Sequence, residues 1–346
     1  MLRWIGPKTA DLRILLSILG LLIQLGAAQV VPASPPIADP SDVRFKDVTE
    51  DWTTPSLTTS KLKDVPPVVG YIDNEGAYEV ELIQLQWRFG DPIDLYVMKP
   101  TGIKNPPVIL YLYGYPADTE RFKNRIFQNT VTKDGFAAVG FVSALTGHRY
   151  HDRPMKEWFL SELQESLATS AHDVQMILTY LVSRGDLDTS RIGMFAQGSG
   201  ASIAILASAV DSRIRALDLL DPWGDWPTWL AKSPFVPEAE RQQFLKPEFL
   251  AQAQSMEPLQ WLPKVRAQEV RLQDATFDRI TPAASKARIR AALKPDATLK
   301  IYETPDQFNS MIKSGKDLQW IQDELTHIPG PQQPGQSNPS DYGHLR

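Results

Sequence analysis

In the run Arg191-Ile192-Gly193-Met194-Phe195-Ala196-Gln197-Gly198-Ser199-Gly200-Ala201, an apolar segment gives way within three residues to a sequence rich in Ala, Ile and Leu that continues to Ala209. Ile192 to Ala196 is short, apolar and flanked by polar residues, which predicts a buried strand. Gly198-Ser199-Gly200 predicts a sharp turn, and the apolar run after it a buried helix. Working outward, Val174, Ile177, Leu178 and Leu181 recur at helical spacing until Arg184-Gly185, where glycine ends the helix. Upstream, Val108 to Tyr113 and Ala137 to Val142 are near-continuous apolar runs, as central parallel strands covered on both faces should be. Further strands are expected at Arg215–Leu220, Val270–Asp274 and Leu299–Tyr302, and a last helix at Asp317–Leu325. Two early strands, Tyr78–Arg88 and Ile93–Met98, are joined by Gly90-Asp91-Pro92 and suit an antiparallel hairpin at the sheet edge. Strands alternating with helices predict an α/β domain with a mostly parallel central sheet flanked by helices.

The strand, turn and helix around Gly198 resemble the nucleophile elbow of the α/β-hydrolase superfamily, G-x-S-x-G. The helix before it, followed by Asp188-Thr189-Ser190-Arg191-Ile192-Gly193, is similar to the prolyl-oligopeptidase and dienelactone-hydrolase branches. The resemblance spans roughly three quarters of the chain and implies the α/β-hydrolase fold. An elbow needs small residues two before and two after the nucleophile, because strand and helix backbones approach closely. Ala196 and Gly200 meet that demand around position 198, which is glycine. The alternative is a shifted elbow with Ser199 as nucleophile, which places Gln197 and Ala201 at the crowded positions.

In the superfamily the acid follows a late strand and the histidine follows the last one. Asp278-Arg279-Ile280-Thr281-Pro282 matches the acid turn, and also reads as a carboxylate cap before the helix that opens at Pro282. After the last strand, Tyr302-Glu303-Thr304-Pro305-Asp306-Gln307-Phe308 puts Gln307 in the histidine place, in a short loop. An amide cannot relay a proton near neutrality. The oxyanion hole implied by the resemblance uses backbone N–H groups of Ser199 and Tyr115. Gly198 and Gln307 are therefore degenerate triad positions. The resemblance implies a catalytically impaired homologue of serine esterases and peptidases that binds a small-molecule, acyl or peptide ligand or a protein partner. The competing reading is an active serine hydrolase using Ser199 with an atypical base. On the same alignment, Gly198→Ser with Gln307→His is expected to restore esterase chemistry.

His148 and His151 follow a central strand and lie where ligands approach an α/β sheet, but their spacing is weak evidence for a metal. His172 is expected on a helix flank and His327 on the surface. No metal or other cofactor is expected. Residues 222–265 form a lid-like insertion holding Trp223, Trp226, Trp229, Phe235, Phe244, Phe249 and Trp261. These aromatics read either as a helical layer on the core or as a lid over a pocket.

Residues 1–28 carry Arg3, Lys8 and Arg13, then an apolar run from Ile14 to Leu25 and Gly26-Ala27-Ala28, the layout of a cleaved secretory signal. The run is too short for a membrane span of about 20 residues, so no stable anchor is expected after cleavage, and the product is expected in the periplasm or secreted. The chain has no cysteine, so neither a lipoprotein anchor nor disulfides are available. Residues 29–67 read as an extended segment, 68–328 as the hydrolase-like domain and 329–346 as a disordered tail. The net charge is −5, of which the leader's Arg3, Lys8 and Arg13 against Asp11 supply +2, leaving −7. That mildly acidic balance gives no electrostatic case for binding nucleic acid.

Overall fold

A computed structural model describes residues 45–116, 119–145, 149 and 159–329. The signal-like leader, His148, His151 and the tail from residue 330 lie outside the described residues. The apolar runs form the middle of a nine-stranded sheet: β1 (Val68–Asn74), β2 (Tyr78–Leu85), β3 (Ile93–Pro100), β4 (Pro107–Leu112), β5 (Ala137–Gly140), β6 (Asp188–Gln197), β7 (Ile214–Leu220), β8 (Glu269–Ala275) and β9 (Thr298–Tyr302). Their order across the sheet is β1-β2-β3-β5-β4-β6-β7-β8-β9. The pairs β1–β2, β2–β3 and β3–β5 are antiparallel, and every pair from β5–β4 to β8–β9 is parallel. The mostly parallel sheet agrees with the sequence reading. Strand β1 was not anticipated: its residues are exposed on both faces apart from Tyr71, so no alternation of apolar and polar residues marks it.

Helices cover both faces. Helix α2 (Leu163–Arg184) and helix α3 (Ser199–Val210) pack on one face with the aromatic insertion; α1 (Arg125–Thr132) and α8 (Lys316–His327) cover the other. Helix α2 stops at Gly185, which takes φ 76° in the left-handed region, the C-terminal stop glycine makes without a Cβ penalty. Helix α8 sets Ile321 and Leu325 over Gly193 of β6, where any Cβ would lie 2.9 Å from both side chains. Each of these fully buried residues contributes about 1.5–3 kcal/mol by leaving water.

The insertion forms helices α4 (Trp226–Lys232) and α5 (Pro247–Ala253) with shorter turns between. Trp223, Trp226 and Trp229 are buried in the main core, which is the helical-layer reading of this segment. Two further helices follow, α6 (Ala283–Ala291) and α7 (Pro305–Lys313). Helix α7 corrects the loop expected around Gln307. His172 is also corrected: it lies inside α2 with no exposed surface, not on a flank. His327 ends α8 and is exposed, as expected.

Candidate functional site

The turn between β6 and α3 sits at the carboxyl edge of the sheet, and its centre is Gly198 with φ 58° and ψ −124°. Glycine takes this conformation without the Cβ strain that other residues bear there. The crowding foreseen from the sequence is explicit at Gly200, where a Cβ would stand 2.3 Å from the Leu112 carbonyl oxygen. Gly114 likewise closes on the turn, since its Cβ would lie 3.1 Å from the Gln197 oxygen and 3.6 Å from the Ser199 nitrogen. The Gly198 N–H donates to Leu220 O of β7, and its carbonyl accepts from Ser202 N and Trp223 N.

A side chain at 198 would meet Trp223. The indole nitrogen lies 3.3 Å from the place of a Cβ there. Trp223 is held by Trp229 at 4.9 Å and Phe235 at 5.2 Å between ring centroids, and Phe235 packs edge-on to Tyr115 at 5.9 Å. Aromatic rings thus pack against the elbow on the side of position 198. Ser199 is buried, and its hydroxyl accepts a 2.8 Å hydrogen bond from the Tyr115 N–H. One of the two expected oxyanion donors is thus already engaged, by the residue that carries the other.

Asp278 follows β8, with its carboxylate turned back onto its own chain, where it accepts from Ile280 N at 3.1 Å and Thr281 N at 3.2 Å. Lys286 Nζ lies 3.5 Å away. Gln307 occupies the third position of α7: Thr304 Oγ1 accepts from its N–H, and its own Oε1 accepts from Glu303 N at 2.9 Å. That is a variant of the capping box in which the amide reaches the N–H one residue before the cap, and the side chain is exposed. The turn carrying Asp278 and the start of helix α7 meet through Phe277 and Phe308, 6.0 Å between ring centroids, but Asp278 and Gln307 each hydrogen-bond within their own turn.

Lys286 was missed in the sequence. Its buried ammonium donates to Asp221 at 2.9 Å, Asp274 at 3.1 Å and the Ala275 carbonyl. Burial pushes the Asp221 carboxyl up to about 6, against the pull of Lys286. Asp221 (φ 45°) and Asp225 (φ 60°) both hold left-handed backbone without being glycine, a cost of roughly 1–3 kcal/mol each that surrounding contacts must offset. For Asp225 these are Arg288 at 2.6 Å and Ser285 at 3.2 Å. The pair fixes the loop that presents Trp223. No local pattern in the sequence marks it, because Lys286 and Asp221 are 65 positions apart.

Elsewhere, a groove of about 320 Å³ lies at the opposite, amino edge of the sheet, lined by Glu79, Lys99, Lys104, Asn105 and Asp186 among others.

No protein-family model matches the sequence, and no curated protein matches it. Solved structures do match in shape. An acetyl xylan esterase from Paenibacillus sp. R4 superposes with a TM-score of 0.57 at 15% identity, over 73% of this chain and 89% of the esterase. An S-formylglutathione hydrolase from Agrobacterium tumefaciens gives 0.55 at 14% identity, over 74% of this chain and 99% of its own. The Pyrococcus horikoshii acylaminoacyl peptidase gives 0.54 at 13% identity, over 78% of this chain but only 51% of the peptidase.

Proposed function

The chain has the α/β-hydrolase fold, and we propose that it uses this fold without hydrolytic chemistry, as an exported relative of serine esterases and peptidases that binds an acyl or peptide ligand or a protein partner. The observation that carries the proposal is Trp223, whose indole stands 3.3 Å from where a nucleophile's Cβ would be at Gly198. Loss of the serine alone costs a serine protease about a millionfold in turnover. Here the indole also stands in tight contact with the place of that side chain.

The second reading, an active hydrolase working through Ser199, draws on the esterases and peptidases among the structural neighbours. Against it stands the Ser199 hydroxyl, buried and bonded to Tyr115 N–H. Neither the natural protein nor the variant Gly198→Ser with Gln307→His is expected to be labelled by a fluorophosphonate probe. The variant is expected to fail, contrary to the sequence-based expectation, because Trp223 crowds position 198, Ser199 engages Tyr115 and Gln307 belongs to a helix cap. Labelling at Ser199 in the natural protein would establish the second reading. Labelling of the variant at position 198 would mean that the aromatic cluster yields to a side chain.

The export component rests on the leader pattern in residues 1–28. The mature protein is expected to begin near Gln29, and an intact Met1 found by N-terminal sequencing would count against a cleaved signal.

A further inference from the structure

The segment from Phe45 to Ser60 crosses helix α2 and is fastened there by a buried cluster of charge. Glu50 meets Arg88 through two contacts, at 2.5 Å to Nε and 2.6 Å to Nη2. Arg88 also contacts Asp173 at 2.5 Å and Asp91 at 3.4 Å. Arg149 completes the cluster, contacting Asp173 at 2.6 Å and Asp91 at 2.7 Å. His172 joins it from α2: its Nδ1 lies 2.6 Å from Glu50 Oε1 and its Nε2 3.0 Å from the Thr54 carbonyl oxygen. The Arg88 guanidinium and the His172 ring together hold the Glu50 carboxyl down to about 2, although burial opposes this.

Both ring nitrogens of His172 thus face acceptors, an ionised carboxylate and a carbonyl. A neutral imidazole has one N–H and one lone pair, so it would set a lone pair against one of these oxygens; only the imidazolium donates at both ends. Three carboxylates, Glu50, Asp91 and Asp173, meet Arg88 and Arg149; burial pushes the Asp91 carboxyl up, and the carboxylate that His172 meets directly is Glu50. Asp51, next along the segment, is turned away onto Thr53 and Thr59. An unbalanced buried charge is costly, and among these groups imidazole is the one whose intrinsic chemistry changes its charge between pH 5 and 8.

We propose that residues 45–60 form a pH-sensitive strap, latched on α2 by the protonated His172 and loosened when that proton leaves. The latch has an acid limit too: the stabilisation from Glu50 is fully present above its unfolded value of 4.5 and is lost as pH falls toward about 2. Strap binding is therefore bell-shaped in pH. Other tethers include Phe45 against Phe89 at 6.2 Å between ring centroids, Gln175 Nε2 to the Pro55 carbonyl at 2.7 Å and Leu57 N to Gln175 Oε1 at 3.4 Å; these are neutral and do not respond.

Hydrogen exchange read by mass spectrometry on the full chain, corrected for intrinsic pH dependence, tests the latch. Between about pH 5.5 and about pH 8.5 the strap amides are expected to lose at least tenfold in protection while those of α3 do not. His172→Gln should flatten the strap's response at the weakened level. Glu50→Gln should weaken it, because the amide can donate to an uncharged ring. Equal strap protection at both pH values in the natural protein, or an unchanged pH response in His172→Gln, would overturn the proposal. Should the variants not fold, ring nitrogen NMR of the natural protein decides: both His172 nitrogens protonated at the lower pH supports the latch, and a neutral ring there refutes it.

Discussion

Replacing Asp173 by Asn is expected to lower the free energy of unfolding by about 3–5 kcal/mol, the cost of breaking a buried ion-pair network by removing one of its charges. Asp173 has no exposed surface and accepts from Trp87 Nε1 at 2.9 Å as well as from Arg88 and Arg149. Asparagine keeps the shape but turns an NH2 toward guanidinium donors and removes the charge that both arginines answer. The two arginines hold the Asp173 carboxyl below its usual range despite burial, so its contribution is present above the unfolded value and is lost on acidification. Urea unfolding at neutral pH measures the effect. Glu120→Ala is the contrast, since its pair with Lys123 is 72% and 47% exposed on the two sides, and such pairs are worth about 0–1 kcal/mol. A loss below about 1 kcal/mol for Asp173→Asn would mean that the cluster is far more hydrated than its burial implies.

The second large effect is expected at Gly200. Alanine there would bring its Cβ to 2.3 Å from the Leu112 oxygen and 2.9 Å from the Leu112 carbon and Tyr113 oxygen. All three are backbone atoms at the end of a central strand. No rotamer change relieves the contact, so α3 and β4 must move apart, at a cost of about 3 kcal/mol or more. Thermal unfolding should register this as a large fall in Tm or as failure to fold. At Gly76 and Gly102 a Cβ meets nothing within 4 Å, and alanine costs only the strain of a positive φ, about 1 kcal/mol. A Gly200→Ala protein melting within a few degrees of the natural one would refute the tight elbow.

The elbow was legible because its constraint is local: the small residues at 196 and 200 and the glycine at 198 are written within five positions. The central strands were legible because burial on both faces leaves an unbroken apolar run. Strand β1 shows the converse, since an edge exposed on both faces imposes no pattern on its sequence. Helix α7 was missed despite a visible signal, for Thr304 and Gln307 have the spacing of a capping box, which fixes Gln307 to the start of a helix. The tertiary features had no sequence signal. Trp223 meets the elbow from 25 positions away, and Glu50 and His172 are separated by 122. Reading such pairs requires knowing which elements the fold brings together.

The glycine at 198 and the indole above it also shape which mutational routes are open to this sequence. A serine at 198 would take on roughly 1–3 kcal/mol of backbone strain and press on a tryptophan that is itself wedged between Trp229 and Phe235. Removing Trp223 first would open a cavity in the core, at about 3–5 kcal/mol. Against a typical reserve of 5–15 kcal/mol, either single step takes up much of the margin. The glycine and the aromatic cluster thus hold each other in place, since each raises the stability cost of changing the other.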